Sequence, residues 1–422
     1  MDIGADESDG TAWTAGPYVI MRVSPEGNDG HDGSSWALAK RTVQAGIDAA
    51  SALGGEVWVQ AGTYYERITL HPYAYVYGGF AGVETARDER DWDTNVTTLD
   101  GQQQGSVVTV RTGYGTVGAI DGFTITNGRA SSGGGLYLDS SSPTITNNTI
   151  TANGAGDYGG GLYLSSTSPT ISNNTIKGNS AGKYGGGLHL SSSSPTIADN
   201  TITGNVAGNY GGGLYLSSSS ATITKNTVTG NSANSGGALY LYRSPPMIAN
   251  NTIRGNSAHY DGGGLYLEAS SAMVTNNTIT GNTAYGRGGG LYLGYSTPTI
   301  ANTIVAFNSS GVYGPGGTPT LRYNCVYGNG AYDYSALIDP TGTDGNISVD
   351  PRLADPQHGN THIQPDSPCV DAGGNADAFG DFDMDGQPRV QPLGGTVDIG
   401  ADESDGTVWP AGSNVIVRVQ NS

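Results

Sequence analysis

The chain has 422 residues, of which 69 are glycine and only 13% are charged, about half the charged share of an ordinary soluble domain. Its formal net charge is −19, but residues 133–308 hold only five acids and six bases, so the acidic residues are concentrated in the two flanks. The neutral body lacks the basic footprint that nucleic acid binding requires, and no apolar run approaches the roughly 20 residues that span a bilayer, so we expect neither nucleic acid as a partner nor membrane insertion.

The first residues of the chain are nearly repeated at its end. Residues 2–23 match residues 398–419 at 17 of 22 positions, an offset of 396 residues. We interpret this duplication as the sign of one unit from a longer tandem array. Residues 1–23 are then a linker with a strand, and residues 398–422 are the start of a next copy. The N-terminus shows neither the basic nor the apolar region of a signal peptide.

Residues 24–132 are predicted to form an N-terminal cap and the first irregular rungs of a solenoid. Residues 35–53 have the pattern of an amphipathic helix, with Ser34 or Ser35 as the N-cap and a Gly-Gly pair as the stop. Such a helix would cover the first strand of a stack, whose edge is otherwise exposed. Further strands are predicted at residues 56–60, 68–70, 73–77, 106–110 and 123–126.

Seven copies of one 26-residue unit fill residues 133–308. Each contains Gly-Gly-(Gly/Ala)-Leu-(Tyr/His)-Leu, and the spacing is 26 residues except for one step of 25. Three short stretches with strand character, separated by Ser, Asn and Gly turns, are typical of a right-handed parallel β-helix with three strands per rung. A leucine-rich repeat fits less well, because the unit has no Leu-x-x-Leu-x-Leu pattern and no helical segment. The sequence therefore predicts an all-β solenoid.

The alternation of side chains along each strand assigns the inward and outward positions. Both leucines of each unit are expected inside, and the residue between them outside, in one aromatic ladder. This ladder consists of Tyr137, Tyr163, His189, Tyr215, Tyr240, Tyr266 and Tyr292. We favour a structural role for it, since stacked aromatic rings stabilise a sheet, and the alternative is a binding surface for sugar rings. A second row precedes the glycine runs and consists of Tyr158, Tyr184, Tyr210, Tyr260 and Tyr285.

An asparagine two positions before the second isoleucine of each unit is expected to turn inward at a bend. There each side-chain amide can bond to its neighbours above and below, which satisfies groups that are costly to bury alone. The members of this structural ladder are Asn148, Asn174, Asn200, Asn226, Asn251 and Asn277.

The repeats show no pair of acids suited to catalysis. A glycosidase needs two carboxylates about 5 to 10 Å apart, which requires acids one unit apart in sequence, and no acid of the repeats has such a partner. Residues 84–93, ETARDERDWD, are interpreted as a solvated loop with salt bridges, with a catalytic pocket as the alternative. His189 interrupts the aromatic ladder and is expected to be a tolerated surface substitution.

Residues 309–397 are predicted to form the irregular last rungs and an acidic C-terminal cap. Asp381, Asp383 and Asp385 open an Asp-x-Asp-x-Asp-Gly pattern typical of a calcium loop, although a proline, residue 392, stands where an EF-hand has its bidentate glutamate. Bound Ca²⁺ and a solvated acidic turn are equal alternatives. Cys325 and Cys369 are expected to form a disulfide or to remain two buried thiols.

Motifs near both ends of the chain point to a known superfamily. They are GNDG at residues 27–30, SSWA at 34–37, EVWV at 56–59, AGTY at 61–64, SPCVDAG at 367–373 and DIGADE at 398–403. The first four resemble the opening of bacterial proteins of the pectin-lyase-like β-helix superfamily. The last two resemble a C-terminal module of cell-surface β-helix proteins in that group. The resemblance implies the fold for nearly the whole chain but no single activity, because lyases, glycosidases and adhesins share this fold.

Two functions from different classes follow from these observations. We expect an extracellular or cell-surface β-helix protein with a structural or adhesive, non-catalytic role, which associates head to tail with copies of itself. The duplication, the neutral repetitive surface and the missing acid pairs favour this function. The alternative is a polysaccharide lyase, a glycoside hydrolase or a glycan-binding β-helix, with polysaccharide as the partner and a site built from irregular loops.

Overall fold

The computed structural model describes residues 19–52, 54–111, 118–389 and 395–410. In these residues the chain winds as a parallel β-solenoid, which confirms the predicted fold class, and crossovers between parallel strands of one sheet give it the right-handed sense. The duplicated residues 2–18 and 411–419, and the proline at 392, lie outside the described residues.

Four parallel sheets form the walls of the solenoid. Sheet A contains Val19–Val23, Gly55–Gln60, Ala74–Phe80, Ala119–Asp121, Thr144–Thr146, Thr170–Ser172, Thr196–Ala198, Thr222–Thr224, Met247–Ala249, Met273–Thr275, Thr299–Ala301 and Thr320–Arg322. Sheet B contains Gly62–Tyr64, Thr97–Asp100, Phe123–Thr126, Thr149–Thr151, Thr175–Lys177, Thr201–Thr203, Thr227–Thr229, Thr252–Arg254, Thr278–Thr280, Ile304–Ala306 and Cys325–Tyr327.

Sheet C contains the Leu-Tyr-Leu strands, and sheet D is a short wall that the sequence did not reveal. Sheet C consists of Ile68–Thr69, Val108–Arg111, Leu136–Asp139, Leu162–Ser165, Leu188–Ser191, Leu214–Ser217, Leu239–Tyr242, Leu265–Glu268, Leu291–Gly294, Val312–Tyr313 and Tyr334–Ser335. Sheet D consists of Arg129–Ser132, Gly154–Tyr158, Ser180–Ala181, Val206–Ala207, Ser232–Ala233, Ser257–Ala258 and Thr283–Ala284. Most of its strands have two residues, which is too short for a periodic pattern to predict.

The inward leucines form the centre of the core. Leu188, Leu190 and their equivalents in the neighbouring rungs are fully buried, and successive units pair residue for residue. Each strand of sheet C in the regular rungs is preceded by glycines because the backbone is packed too closely there for a side chain. A Cβ on Gly185, where φ is +67°, would lie 2.3 Å from the carbonyl oxygen of Leu188. A Cβ on Gly186 would lie 2.5 Å from the carbonyl oxygen of Gly212 in the next rung, so both positions require glycine.

Two ladders of asparagine bond the rungs together. In the ladder that contains Asn200, the side-chain nitrogen and the backbone N–H of that residue both donate to Oδ1 of Asn226 at 3.0 Å, and the other members repeat this geometry up to Asn251. The second ladder lies at the turn after sheet B and is equally buried. Its members include Asn153, Asn179, Asn205, Asn231, Asn256, Asn282 and Asn308.

The N-terminal helix is shorter than predicted. It spans Val43–Ser51, and residues 36–38 form a separate 3₁₀ turn, Trp36–Leu38. The N-cap is Thr42, whose hydroxyl accepts the N–H of Ala45, so the predicted caps Ser34 and Ser35 are wrong. The reason is Asp29, whose carboxylate accepts the N–H groups of residues 41 and 42 and holds this stretch outside the helix. As expected, the helix packs its buried face on the first strands of sheet A.

The acidic C-terminal segment lies against the side of the solenoid. We call residues 353–389 and 395–409 the C-terminal module; it contains the antiparallel strands Leu353–Asp355 and Asn360–Ile363 and the 3₁₀ turn Asn375–Asp377. Asn250 donates to the carbonyl oxygens of residues 379 and 382, and Asn302 donates to that of residue 374. The module therefore covers the corner between sheets A and B, and it includes residues 398–409 on the far side of the predicted boundary at 397.

Candidate functional site

The aromatic ladder projects from the outer face of sheet C as an unbroken stack. From Tyr137 to Tyr292, the ring centroids of successive members lie 4.4–5.5 Å apart, with interplanar angles of 8–24°. Three tyrosines of the second row lie beside them, and Tyr210 stacks on Tyr240 at 4.5 Å. Tyr260 and Tyr285 do not join this stack, since they are exposed and contact His259 edge-on.

The faces of the ladder rings are occupied by other rings. Tyr215 and Tyr240 are buried, although they project outward, because rings of the second row cover them. Arginines cover both ends of the stack: the guanidinium of Arg111 lies 4.6 Å from the centroid of Tyr137, and that of Arg287 lies 5.5 Å from that of Tyr292. A sugar ring needs a free aromatic face, so this geometry favours the structural interpretation of the ladder.

His189 is not a surface residue, contrary to the expectation. Only 6% of it is exposed, because the rings of Tyr158, Tyr163 and Tyr215 stack around it. Burial lowers the pKa of the imidazole to about 4, so it is neutral at ordinary pH. Its Nδ1 has no hydrogen-bond partner among the described residues. The neighbouring rings thus exclude water from the imidazole of His189, which has the properties of a core histidine.

Two ion pairs join neighbouring rungs at the turn before sheet C. Lys183 binds Asp157 at 2.8 Å, and Arg287 binds Asp261 at 3.0 Å. The members of each pair lie one unit apart in the sequence, so the pairs could have been found from the repeat spacing. Both ion pairs are partly exposed, and each contains only one acid, so neither supplies the two carboxylates that a glycosidase needs.

The loop at residues 84–93 is held by ion pairs to the face of sheet A. Arg87 contacts Glu56 at 2.6 Å, and the buried pair Arg90–Asp121 has a distance of 2.8 Å. The carboxylate of Glu84 accepts the N–H groups of residues 81–83, which lowers its pKa against the effect of burial. These partners agree with a salt-bridged structural loop.

The three aspartates of the Asp-x-Asp-x-Asp motif have different environments. Asp383 is fully buried, and its oxygens accept the backbone N–H groups of residues 385, 387 and 403. Asp381 is exposed, and Asp385 contacts His362 at 2.7 Å. The motif therefore directs one carboxylate inward as a turn-forming acceptor and does not gather all three around one point. Calcium binding at these residues stays a prediction.

A buried ion pair joins the module to the solenoid. Arg389 is 2% exposed and contacts Glu403 at 3.3 Å and Oδ1 of Asn250 at 2.7 Å. Burial is the main reason that the pKa values of nearby acids are raised, to about 8 for Glu403 and about 6 for Asp398. Breaking such a pair would leave an uncompensated charge inside the protein.

Cys325 and Cys369 are free, buried thiols in the structure and belong to the small core under the module. Interaction with the Cys325 thiol and burial raise the pKa of the Cys369 thiol well above its usual value. The two cysteines, one in the last strand of sheet B and one in the module, are therefore neighbours.

A polar pocket of about 230 Å³ opens at the corner between sheets B and C in the first rungs. We call it the Arg67 pocket. It is formed by two connections one rung apart, and it is lined by Tyr65, Glu66, Arg67, Asp100, Gly101, Gln102 and Gln104. Sequence reasoning named irregular loops as places for a site but did not single out these residues. The available signal is GQQQG at residues 101–105, where the regular unit has its Ser-Ala strand.

Both carboxylates of the Arg67 pocket are held by the protein. Glu66 accepts the N–H groups of Val43 and Gln44 at the start of the helix, at 2.8 and 3.2 Å. Burial raises the pKa of Glu66, and these two hydrogen bonds oppose the increase. Asp100 accepts the N–H of Gln102 and the side-chain amide of Asn127, both at 2.8 Å. These acids are fixed in position, so they suit ligand recognition better than proton transfer.

The cationic and aromatic groups of the pocket have no polar partner in the described part of the chain. Arg67 is exposed and makes no hydrogen bond or ion pair with any other residue that the structure describes. Tyr65 is 66% exposed. A guanidinium forms two parallel hydrogen bonds with a carboxylate, and an exposed aromatic ring packs against the apolar face of a sugar. The pocket therefore has the groups that bind an anionic, hydroxyl-rich ligand.

Comparisons with known proteins agree with the fold. The family model for a right-handed beta helix region matches residues 95–211 and 187–351. No curated protein sequence matches the chain. A crystal structure of pectate lyase Pel9A is similar over 92% of this chain and 98% of its own, with 16% identity and a TM-score of 0.53.

Two further solved structures are similar at lower scores. The complex of XylC with xylose has 10% identity over 72% of this chain and 70% of its own, with a TM-score of 0.42. The A-module of the Azotobacter vinelandii mannuronan C-5 epimerase AlgE6 has 17% identity over 73% of this chain and 94% of its own, with a TM-score of 0.32. Among the described residues, no helix is both long and apolar enough to cross a membrane.

Proposed function

Because the chain belongs to the right-handed β-helix family, we propose that it is a carbohydrate-active protein that binds a polysaccharide with uronic acid units at the Arg67 pocket. The observation that carries this proposal is the free guanidinium of Arg67 in a pocket lined by polar side chains. This function replaces the expected structural role as our first interpretation, and it places the protein outside the cell, where such polymers occur.

The chemistry of the pocket fits an acidic sugar. The Arg67 guanidinium would bind the uronate carboxylate through two parallel hydrogen bonds, and the ring of Tyr65 would pack on the sugar face. Gln102 and Gln104 offer side-chain amides, which donate to and accept from hydroxyl groups. The fixed carboxylates of Glu66 and Asp100 can accept hydrogen bonds from further hydroxyls of the sugar.

The position of the pocket suits an extended polymer. The pocket lies at the same corner of the solenoid as the strands of sheet D, so a chain of sugars that leaves it can follow the rungs. The similarity to pectate lyase Pel9A supports the ligand class, since pectate is a polymer of uronic acid. Whether the chain cleaves the polymer or only binds it depends on a catalytic group that the pocket's fixed acids do not supply.

The test is a panel of purified polysaccharides. Retardation of the protein in gels that contain polygalacturonate, alginate or neutral xylan reports binding. Ultraviolet absorbance of unsaturated sugar ends reports lyase activity, and new reducing ends report hydrolysis. We expect retardation by the acidic polymers and none by xylan. Retardation by xylan alone, or by none of the polymers, would contradict the proposal.

A second candidate function, a unit of a tandem array, has its own supporting observation. Asp398 and Glu403 of the duplicated segment are buried inside the C-terminal module, whereas Val19–Val23, from its first copy, begins sheet A. In an array, the duplicated segment would therefore pack in the C-terminal module of one unit and then form the first strand of sheet A in the next unit. Electron microscopy tests this proposal: fibres with a subunit repeat of one solenoid support it, and discrete short rods contradict it.

A further inference from the structure

We propose that the C-terminal module binds a divalent transition metal ion, of the Zn²⁺ type, through His362, Asp385 and Asp402. One ligand atom from each of these residues lies within 4.8 Å of the other two. The three residues come from separate segments: the second strand of the module, the acidic turn and the duplicated segment. The inference is independent of the polysaccharide function, because the site lies in a different part of the chain.

The histidine is held in the orientation of a metal ligand. Nδ1 of His362 lies 2.6 Å from Oδ1 of Asn360, and the same oxygen accepts the backbone N–H of His362, so Nδ1 carries its hydrogen. The other ring nitrogen, Nε2, lies 2.7 Å from a carboxylate oxygen of Asp385. Nε2 is therefore the ring nitrogen that is left to bind an ion, and it faces a carboxylate that can share the ion. Trp409 stacks on the imidazole at 3.8 Å and fixes its plane.

Asp402 offers the third ligand atom from a fixed position. It is 2% exposed, and its Oδ2 accepts the N–H of Ile363 at 2.8 Å. Its other oxygen receives no hydrogen bond from any residue that the structure describes. Asp402 is therefore held by the backbone through one oxygen, and its other oxygen is available to a metal ion. Asp385 is one-third exposed, which leaves a path for the ion and room for water as a further ligand.

The ligand set selects the class of metal. One imidazole nitrogen and two carboxylate oxygens are typical of Zn²⁺ and related ions, whereas Ca²⁺ takes six to eight oxygen ligands. Asp383 is not available as a ligand, because backbone N–H groups occupy its oxygens.

The experiment is calorimetry on the untagged, full-length chain after treatment with a chelator. ZnCl₂ and CaCl₂ are titrated separately. The variants are His362→Gln and Asp385→Asn. The matched controls are His358→Gln, which removes the histidine of another His–Asp pair in the module, and Asp381→Asn, which removes an acid of the same turn. Asn360→Ala tests the residue that orients the imidazole.

We expect one Zn²⁺ per chain, loss of binding in His362→Gln and Asp385→Asn, and wild-type binding in both controls. Asn360→Ala should weaken binding by about 10- to 100-fold. Absence of Zn²⁺ binding, or unchanged binding in His362→Gln, would overturn the proposal. Binding of Ca²⁺ alone that is lost in Asp381→Asn would also overturn it, in favour of the acidic turn. If His362→Gln does not fold, Asp385→Asn and Asn360→Ala decide the question.

Discussion

The buried asparagine ladder predicts a large loss of stability from one small substitution, Asn226→Ala. The side-chain nitrogen of Asn226 donates to the carbonyl oxygens of Ile197 and Thr224 and to Oδ1 of Asn251, at 2.8 to 3.0 Å. Its oxygen accepts both the backbone N–H and the side-chain amide of Asn200 at 3.0 Å. At about 1 kcal/mol net for each hydrogen bond, with one amide hydrogen shared, the loss is about 4 kcal/mol.

The matched control is Asn209→Ala. Asn209 is half-buried in the same rungs, and its side chain makes no hydrogen bond with any described residue, so we expect a change within about 0.5 kcal/mol. Equilibrium unfolding in urea, followed by circular dichroism, measures both changes. Hydrogen exchange of peptides from residues 188–254 shows whether the loss is local, as expected for a repeat protein. Equal stability of the two variants would refute the assigned role of the ladder.

Two further predictions concern the core of the solenoid. Leu214→Asp should lower the free energy of unfolding by about 4 kcal/mol or more, because it buries an unpaired carboxylate. Ser217→Asp should change it little, since the equivalent residue two rungs away is Glu268. Equal melting temperatures of the two variants would mean that the assignment of inward and outward positions is wrong. Between pH 6.5 and 4, His189 becomes protonated in the unfolded chain but stays neutral in the folded protein, where it is buried. The free energy of unfolding of the wild type should therefore fall by about 3 kcal/mol over this range, relative to that of His189→Tyr. Parallel acid unfolding curves of the two proteins would contradict this prediction.

The fold could be predicted from the sequence because the repeat period specifies it. A fixed spacing with glycine at Gly185 and leucine at Leu188 specifies where the backbone turns and which side chain enters the core. The same period also contains the Asp157–Lys183 pair, which pairwise comparison at one unit would have found. The short strands of sheet D escaped prediction because two residues have no alternation.

The candidate sites could not be predicted in the same way, because they lie where the period is lost. Asp29 shortens the N-terminal helix through contacts that no local helix pattern contains. His189 is buried in part by Tyr158, which precedes the glycine run one unit earlier in the chain, so its exposure depends on the lateral offset of two rows. The convergence of His362, Asp385 and Asp402 depends on how the C-terminal module folds against the solenoid.

The central claim is that Arg67 recognises an acidic sugar, and the most direct test is the affinity of one variant for one polymer. Binding of polygalacturonate to Arg67→Gln is compared with binding to Lys177→Gln, which removes one positive charge from an exposed strand position in the regular rungs. Loss of a charged hydrogen bond should reduce the binding free energy of Arg67→Gln by about 1.5 to 3 kcal/mol, which is at least a tenfold weaker affinity. Lys177→Gln should bind like the wild type. Equal affinities of the two variants would contradict the account.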